Sequence, residues 1–463
     1  MAPVDDVLRE AGPPSRNVGS GVDLEREIRV VGAGLGRVQA GARSGPRRRL
    51  EDRVTVMSSR DPVVRAALLR FVDVAPACRS QRDLARHLHA LLAELDGRPA
   101  LALVNRIAGL PHAQLPVGAI ATRLVRRMGR RFIVAATPRA AAPHLAGLWE
   151  RGVACSLDLL GEATISADEA DAYAARCADA LSTLSEVSRP WPARPALEAD
   201  SLGAISRANL SVKLTALTPL LRPEEPSRGQ ADARRRLVSL LRLARDMGAH
   251  LHVDVETFGT RDAVSETVLG VLGEPEFAEG PSVGIVLQSY LVDSDSRLAE
   301  VLEWARRTPR REPLTVRLVK GAYWDHEVSE CRQHGWTPPT FLVKADTDRN
   351  FERLTRDLLD AWPAVRPAIA SHNLRSLAHA IAYHRHLGHP DGDLELQVLR
   401  GLGDDLQDAL ADEGYRVRTY SPVGDLVSGM AYLVRRLLEN SSNDSFLVAQ
   451  AGEGDLDALL RAP

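Results

Sequence analysis

The feature that most limits the folds open to this chain is a set of eight short apolar segments, alternating with helical ones, after Gly152. The apolar segments are Ala154–Leu160, Asn209–Leu217, Leu251–Phe258, Val283–Leu291, Leu314–Tyr323, Ala368–Asn373, Leu394–Leu402 and Val417–Val423. Between them, apolar residues recur at helical spacing in Ala167–Leu184, Ala231–Met247, Asp295–Arg307, Asn350–Leu359, Leu374–His386 and Asp404–Asp412. Such alternation builds βαβ units and a parallel sheet. Eight units in roughly 300 residues predict an α/β fold, a (β/α)8 TIM-like barrel, with its chemistry at the C-terminal ends of the strands.

Polar residues gather where that fold would use them. Lys213 lies in the second strand, Asp254 and Glu256 in the third, Gln288 in the fourth and Arg317 in the fifth. His372 and Asn373 end the sixth, Gln397 lies in the seventh and Tyr420 in the eighth. The densest stretch is Thr315–Trp324, T-V-R-L-V-K-G-A-Y-W, an apolar strand with two cations set inside it. Side chains alternate along a strand, so Arg317, Val319 and Gly321 share one face and Lys320 takes the other. Charges are rarely buried without a partner, so these cations call for anionic or electron-rich neighbours.

The rest of the chain divides simply. Residues 1–50, rich in Gly, Pro, Ser and Arg, read as a flexible N-terminal arm. Within them Arg29–Gly36, R-V-V-G-A-G-L-G, imitates a dinucleotide-binding turn, but Arg37 stands where the last glycine belongs. Residues 51–151 carry apolar positions three and four apart and read as an all-helical subdomain. The barrel takes 152–463. The arginines around Arg123–Arg131 interleave with apolar positions, as on the solvated face of a helix.

Composition narrows the function. With 44% hydrophobic and 26% charged residues and a formal net charge of -2, the chain lacks the basic footprint of a nucleic-acid binder. Its four cysteines form no C-x-x-C pair, and His384, His386 and His389 do not share one helix face, so no metal site is expected. No apolar stretch reaches about 18 residues and the N-terminus has no apolar core, which predicts a cytoplasmic protein without a secretion signal. The segment Leu426–Asn440 reads as a helix carrying Arg435 and Arg436 in an apolar run with Glu439 beyond them. Paired guanidinium forks suit capture of a substrate carboxylate.

Five ordered stretches carry a resemblance: Val316–Asp325, Leu210–Leu217, Ser371–Asn373, Tyr420–Gly424 and Tyr432–Asn440. Over about residues 60 to 450 the chain resembles the FAD-dependent proline dehydrogenases, especially that domain of the bacterial bifunctional proline-utilisation flavoenzymes. The resemblance implies FAD at the barrel mouth and L-proline between it and the last helix, oxidised to Δ1-pyrroline-5-carboxylate with electrons passing to a quinone. By the same match Arg317 would sit near flavin N5. Gln288, Val319, Gly321, Ala322, Trp324, Lys344, His372, Asn373, Glu439 and Phe446 would line the cofactor. Arg435 and Arg436 would hold the proline carboxylate, and Lys213, Asp254, Tyr323, Leu399 and Tyr420 would complete the pocket, Tyr420 packing on the proline ring. Lys213 is expected to pair with Asp254 or tune the pocket. The sequence departs from the family at Thr218–Leu221, Val255–Thr257 and Arg400–Leu402. An end at Pro463 leaves no room for an aldehyde dehydrogenase half, so a separate pyrroline-5-carboxylate dehydrogenase is an expected partner, with at most peripheral membrane association. Two other readings stay open: a lyase or aldolase barrel with Lys213 as Schiff-base lysine, and a dehydrogenase of a modified proline.

Overall fold

The structure, a computed structural model, describes residues 21–41, scattered positions from 63 to 74, 74–95, 99–161, 164–425, 429 and 456–463. The described strands close into a parallel barrel: β1 (Val153–Leu159), β2 (Asn209–Lys213), β3 (His250–Asp254), β4 (Ser282–Gln288), β5 (Leu314–Val319), β6 (Val365–Ala370), β7 (Glu395–Leu399) and β8 (Arg416–Val423). Each pairs with its sequence neighbour, and β8 returns to β1 with Val153 opposite Val417. The order and all eight positions agree with the alternation read from the sequence. The segment predicted as a strand to Leu217 leaves the sheet after Lys213 in a turn of 3-10 helix.

Helices cover the outside: α6 (Ala167–Ser188), α7 (Pro226–Asp246), α8 (Phe258–Leu272), α9 (Ser294–Arg307), α10 (Trp324–His334), α11 (Lys344–Asp360), α12 (Leu374–His386) and α13 (Asp404–Asp412). Their inward faces, with Leu181, Leu237, Val268, Phe351 and Leu377, join the outward strand residues Leu157, Leu210, Leu251 and Leu318 in one continuous core. Ahead of the barrel stand α2 (Gln81–Ala93), α3 (Pro99–Ala108), α4 (Gln114–Phe132) and α5 (Pro138–Glu150). On α4, Arg123, Arg126, Arg127 and Arg130 are exposed, as the interleaving predicted, while Arg131 turns in to donate to the Gly401 carbonyl at 2.8 Å.

The expected N-terminal arm needs correction over the part described. Gly21–Gly41 is a helix, α1, that lies on α12 and buries Ile28, Val31 and Leu35. The glycines that imitate a turn are contact points: a Cβ on Gly32 would lie 2.3 Å from Leu460, and one on Gly36 3.0 Å from Leu456. Helix propensity argues against such a stretch, and packing against α12 and the 456–463 segment overrides it.

Inside the barrel the residues are polar rather than the branched aliphatics usual there. The inward positions stack in layers. Asn209, His250, Ser282, Thr315, Arg366, Glu395 and Arg416 stand at the base, and Ser156, Ser211, His252, Arg317, Gln397 and Arg418 stand above them. The rim carries Asp158, Lys213, Asp254 and Tyr420. The alternation of strand residues sets this register, and paired positions such as Lys213 opposite Asp254 and Tyr420 opposite Leu399 fix it. A Cβ on Gly284 would meet the His252 ring at 2.1 Å, so glycine makes room for the imidazole in the middle layer.

Candidate active site at the barrel mouth

Four of the predicted residues meet at the C-terminal end of the barrel. Arg317, 4% exposed, donates from Nε to Gln397 Oε1 at 2.7 Å and from Nη1 to Asp254 Oδ1 at 2.8 Å. Tyr420 donates its hydroxyl proton to Asp254 Oδ2 at 2.6 Å, and the Arg317 guanidinium lies 5.3 Å from the centre of the Tyr420 ring. Burial pushes the Asp254 carboxyl above its ordinary range, against the pull of Arg317 and Lys213.

Lys213 behaves differently from its expectation. Its ammonium pairs with Asp158, on the neighbouring strand β1, instead of with Asp254. The reason is the register: Asp158 is inward-facing beside β2, while the oxygens of Asp254 are already taken by Arg317 and Tyr420. Burial draws the Lys213 pKa down, but the charges of Asp158, Tyr173, Asp254 and Glu256 outweigh it and hold the ammonium well above its ordinary value. Asp158 is a site residue that the sequence reading missed. A single acid in the otherwise uncharged stretch Ala154–Leu160 was its signal.

Around this cluster the structure distributes the remaining predicted residues. Tyr323 donates to Glu256 Oε1 at 3.2 Å, and Glu256 also accepts from Thr215. Leu399 ends β7 beside Tyr420. Gln288 and Val319 are paired at the ends of β4 and β5. The Gln288 amide donates to the carbonyls of Glu256 (2.8 Å) and Val255 (3.4 Å), while its buried Oε1 accepts no hydrogen bond among the described residues. After β5 the chain turns through Gly321 at φ 129°, and a Cβ there would lie 2.3 Å from the Tyr290 ring. Only glycine combines that conformation with that approach. Ala322 follows, then Trp324, which opens α10, is 37% exposed and donates to the Phe341 carbonyl.

Lys320 does point away from Arg317, as the alternation requires. It shares Asp348 with Lys344, each at 2.5 Å, which ties the end of β5 to the first turn of α11. Asn373 caps α12, accepting from the Ser376 amide at 3.0 Å, and His372 precedes it at the end of β6. Arg435, Arg436, Glu439 and Phe446 lie outside the described residues. Away from the barrel, donor atoms of Cys78, Asp83 and His87 come within 4.8 Å of one another, a grouping the sequence reading did not foresee. Asp83 there already accepts from the Arg79 amide and from Arg86. All four cysteines are free thiols.

A (β/α)8 barrel that gathers an arginine, a lysine, two aspartates and a tyrosine at its strand ends has the form of an enzyme acting on a small charged molecule. A family model described as proline dehydrogenase matches residues 141–449, and a second, the proline utilization A N-terminal domain, matches 25–132. This chain belongs to the proline dehydrogenase family. It is 31% identical over 330 residues to the bifunctional protein PutA of Salmonella typhimurium, an alignment that covers 70% of this chain and 24% of that protein. The proline dehydrogenase of Deinococcus radiodurans is 28% identical over 346 residues, covering 74% of this chain and 96% of that one. A crystal structure of proline utilization A from Bdellovibrio bacteriovorus, inactivated by N-propargylglycine, superposes with a TM-score of 0.87 at 32% identity, over 95% of this chain and 44% of that one. The chain thus spans about a quarter of the bifunctional relatives it matches in sequence and under half of the superposed structure.

Proposed function

We propose that this protein oxidises L-proline to Δ1-pyrroline-5-carboxylate, with FAD as the immediate acceptor and a quinone as the final one. The observation that carries the reading is the family match over 141–449, which includes every strand of the charged mouth. The residues present fit a flavin. The buried Oε1 of Gln288 is an acceptor in want of a donor, the turn at Gly321 brings backbone close to the cleft, and exposed Trp324, Leu342 and Val343 offer apolar surface to a flat ring. Gln288, Val319, Gly321, Ala322, Trp324, Lys344, His372 and Asn373 are the residues we assign to holding it, with Glu439 and Phe446. When bound, FAD supplies the acceptor for a hydride from the ring carbon next to nitrogen.

The chain's own residues bind, orient and set charge. Arg435 and Arg436 are assigned to the substrate carboxylate, a fork geometry that fixes orientation as well as affinity. Tyr420, tied to Asp254, offers its ring face to the proline ring, with Tyr323 and Leu399 closing the pocket. The nitrogen lone pair forms the new C=N bond as the hydride leaves, so the amine must arrive neutral, and the iminium so formed afterwards releases its N–H proton to solvent. Arg317 keeps fixed positive charge beside the reacting centre, where it favours developing negative charge. The ion pair between Lys213 and Asp158 weighs against Schiff-base chemistry, which needs an uncharged amine.

No described helix is long and apolar enough to cross a membrane. A cytoplasmic protein that touches a membrane surface to reach quinone, and passes its product to a separate dehydrogenase, is the setting we propose. The test is an anaerobic visible spectrum of the purified protein before and after L-proline. A flavin spectrum that bleaches is expected. Colourless protein that FAD cannot reconstitute would overturn the reading.

A further inference from the structure

At the opposite end of the barrel from the mouth, three arginines stand among two buried carboxylates. Arg366 binds Asp200 through Nε (3.0 Å) and Nη2 (3.2 Å), and Arg418 binds Glu395 through Nε (3.0 Å) and Nη2 (2.9 Å). Each carboxylate is therefore occupied by a two-pronged guanidinium. A third acid, Glu312, is partly exposed and accepts from Arg366 at 3.1 Å.

Arg416 is left over. It is 3% exposed, and its nearest acids are distant: Asp200 at 3.7 Å and Glu395 at 3.9 Å. Its Nε and Nη1 are buried and make no hydrogen bond among the described residues. A buried guanidinium with two unused donors is costly, and charges in protein interiors are normally paired. Beside it lies a cavity of about 30 Å³ lined by Asn209, His250, Arg366, Glu395, Arg416 and Arg418 among others, the Glu395 oxygens being taken up by Arg418. That volume exceeds what one water needs and suits a single small ion. Three of its lining residues, Ile205, Ser206 and Ser282, also line a more open depression of about 420 Å³ on the base of the barrel, which gives a way in from solvent.

We propose that this cavity is a binding site for a monatomic anion, chloride in solution, held by Arg416. The guanidinium supplies donors where no carboxylate is within bonding distance. Asp200 and Glu395 offset part of the Arg416 charge from 3.7 and 3.9 Å but accept no hydrogen bond from it. A halide would accept from both unused donors and place negative charge in direct contact with the guanidinium, where water would only accept. A volume of about 30 Å³ favours a monatomic ion over phosphate or a carboxylate metabolite. Because Arg416 begins β8 and Tyr420 stands two layers above it on the same inward face, the anion would pin the base of the strand that carries the tyrosine. The proposal does not depend on the reaction performed at the mouth.

Bromide is the probe. Crystals of the full chain equilibrated with sodium bromide and measured at the bromine edge should show an anomalous peak in the cavity beside the Arg416 guanidinium. In solution, the melting temperature should be roughly 1–2 °C higher in sodium chloride than in sodium gluconate at equal ionic strength. Arg416→Met should abolish both effects. Should that variant fail to fold, the wild-type peak and the chloride-against-gluconate difference still decide the matter. No peak in the cavity and no chloride-specific shift would show that water fills it and would overturn the proposal. A peak or shift unchanged in Arg416→Met would mark an adventitious ion only, and would overturn it as well.

Discussion

Asp158 is the counter-charge that allows Lys213 to sit at the rim with only 13% of its side chain exposed. Replacing one member of a buried pair leaves the other uncompensated, at about 3–5 kcal/mol, whereas replacing both with neutral groups is far milder. Asp158→Asn should therefore lower stability by about 3 kcal/mol or more, and Asp158→Asn combined with Lys213→Met should recover most of it in urea unfolding. If the double variant is no better than the single one, the pair is not the source of the loss. A second residue acts through a neighbour. Gln397 donates to Glu395 at 2.6 Å, which turns its amide oxygen toward Arg317 Nε. Glu395→Leu removes that acceptor without touching the mouth, and besides the stability lost with the Arg418 pair it should cut kcat/KM for proline roughly tenfold, about the value of one hydrogen bond to a charged group. Flavin content should stay unchanged. A fall in stability with kcat/KM intact would limit Glu395 to a structural role.

At the scale of the element, Gly284 makes β4 compatible with a polar barrel interior. Gly284→Ala would drive a methyl group into the His252 ring, which is itself held by the Ile285 carbonyl at 3.1 Å, and overpacking of this kind costs typically 1–3 kcal/mol. Urea midpoints of the two proteins measure it; equal midpoints would mean that the ring has room to move. The strands themselves were legible because a buried parallel strand leaves an apolar run, and eight of them with helices between admit few folds. The mouth was legible where a charge interrupts such a run, as at Lys213, Asp254 and Arg317. Asp158 interrupts one too, but sequence cannot say that β1 and β2 place it beside Lys213. Helix α1 escaped detection for a related reason: the fit of Gly32 and Gly36 against Leu460 and Leu456 is a tertiary fact, and locally the glycines read as coil. The base of the barrel was equally hidden, since Glu395, Arg416 and Arg418 become one network only when β7 and β8 pair.

For the whole molecule, buried histidines and one paired carboxylate make stability fall as pH falls, against a smaller opposite pull from Asp254, whose raised carboxyl favours the folded state at low pH. Burial holds His250 and His379 at about 3, far below the ordinary imidazole value of 6.5. Both are therefore neutral in the folded state and protonate readily only after unfolding. A depressed folded pKa gives a contribution that is complete above the unfolded value and is lost as pH falls below it. By pH 5 each of these histidines should have surrendered about 2 kcal/mol. Glu395 adds to the same trend lower down. Arg418 and Arg416, with the Gln397 amide, overcome the burial that would raise its carboxyl and hold it at about 2 instead of 4.5. Its contribution is complete above 4.5 and disappears as pH drops from there toward 2. The expectation is a urea midpoint that is flat from pH 8 to 7, falls between pH 6.5 and 5, and falls further below pH 4.5. His379→Gln, which removes one titrating ring packed against Arg356, should flatten the upper part of that decline by about 2 kcal/mol while leaving the lower part in place. An unchanged slope between pH 6.5 and 5 would show that His379 exchanges protons with solvent in the folded barrel, and that its burial between α12 and α11 is looser than its packing indicates.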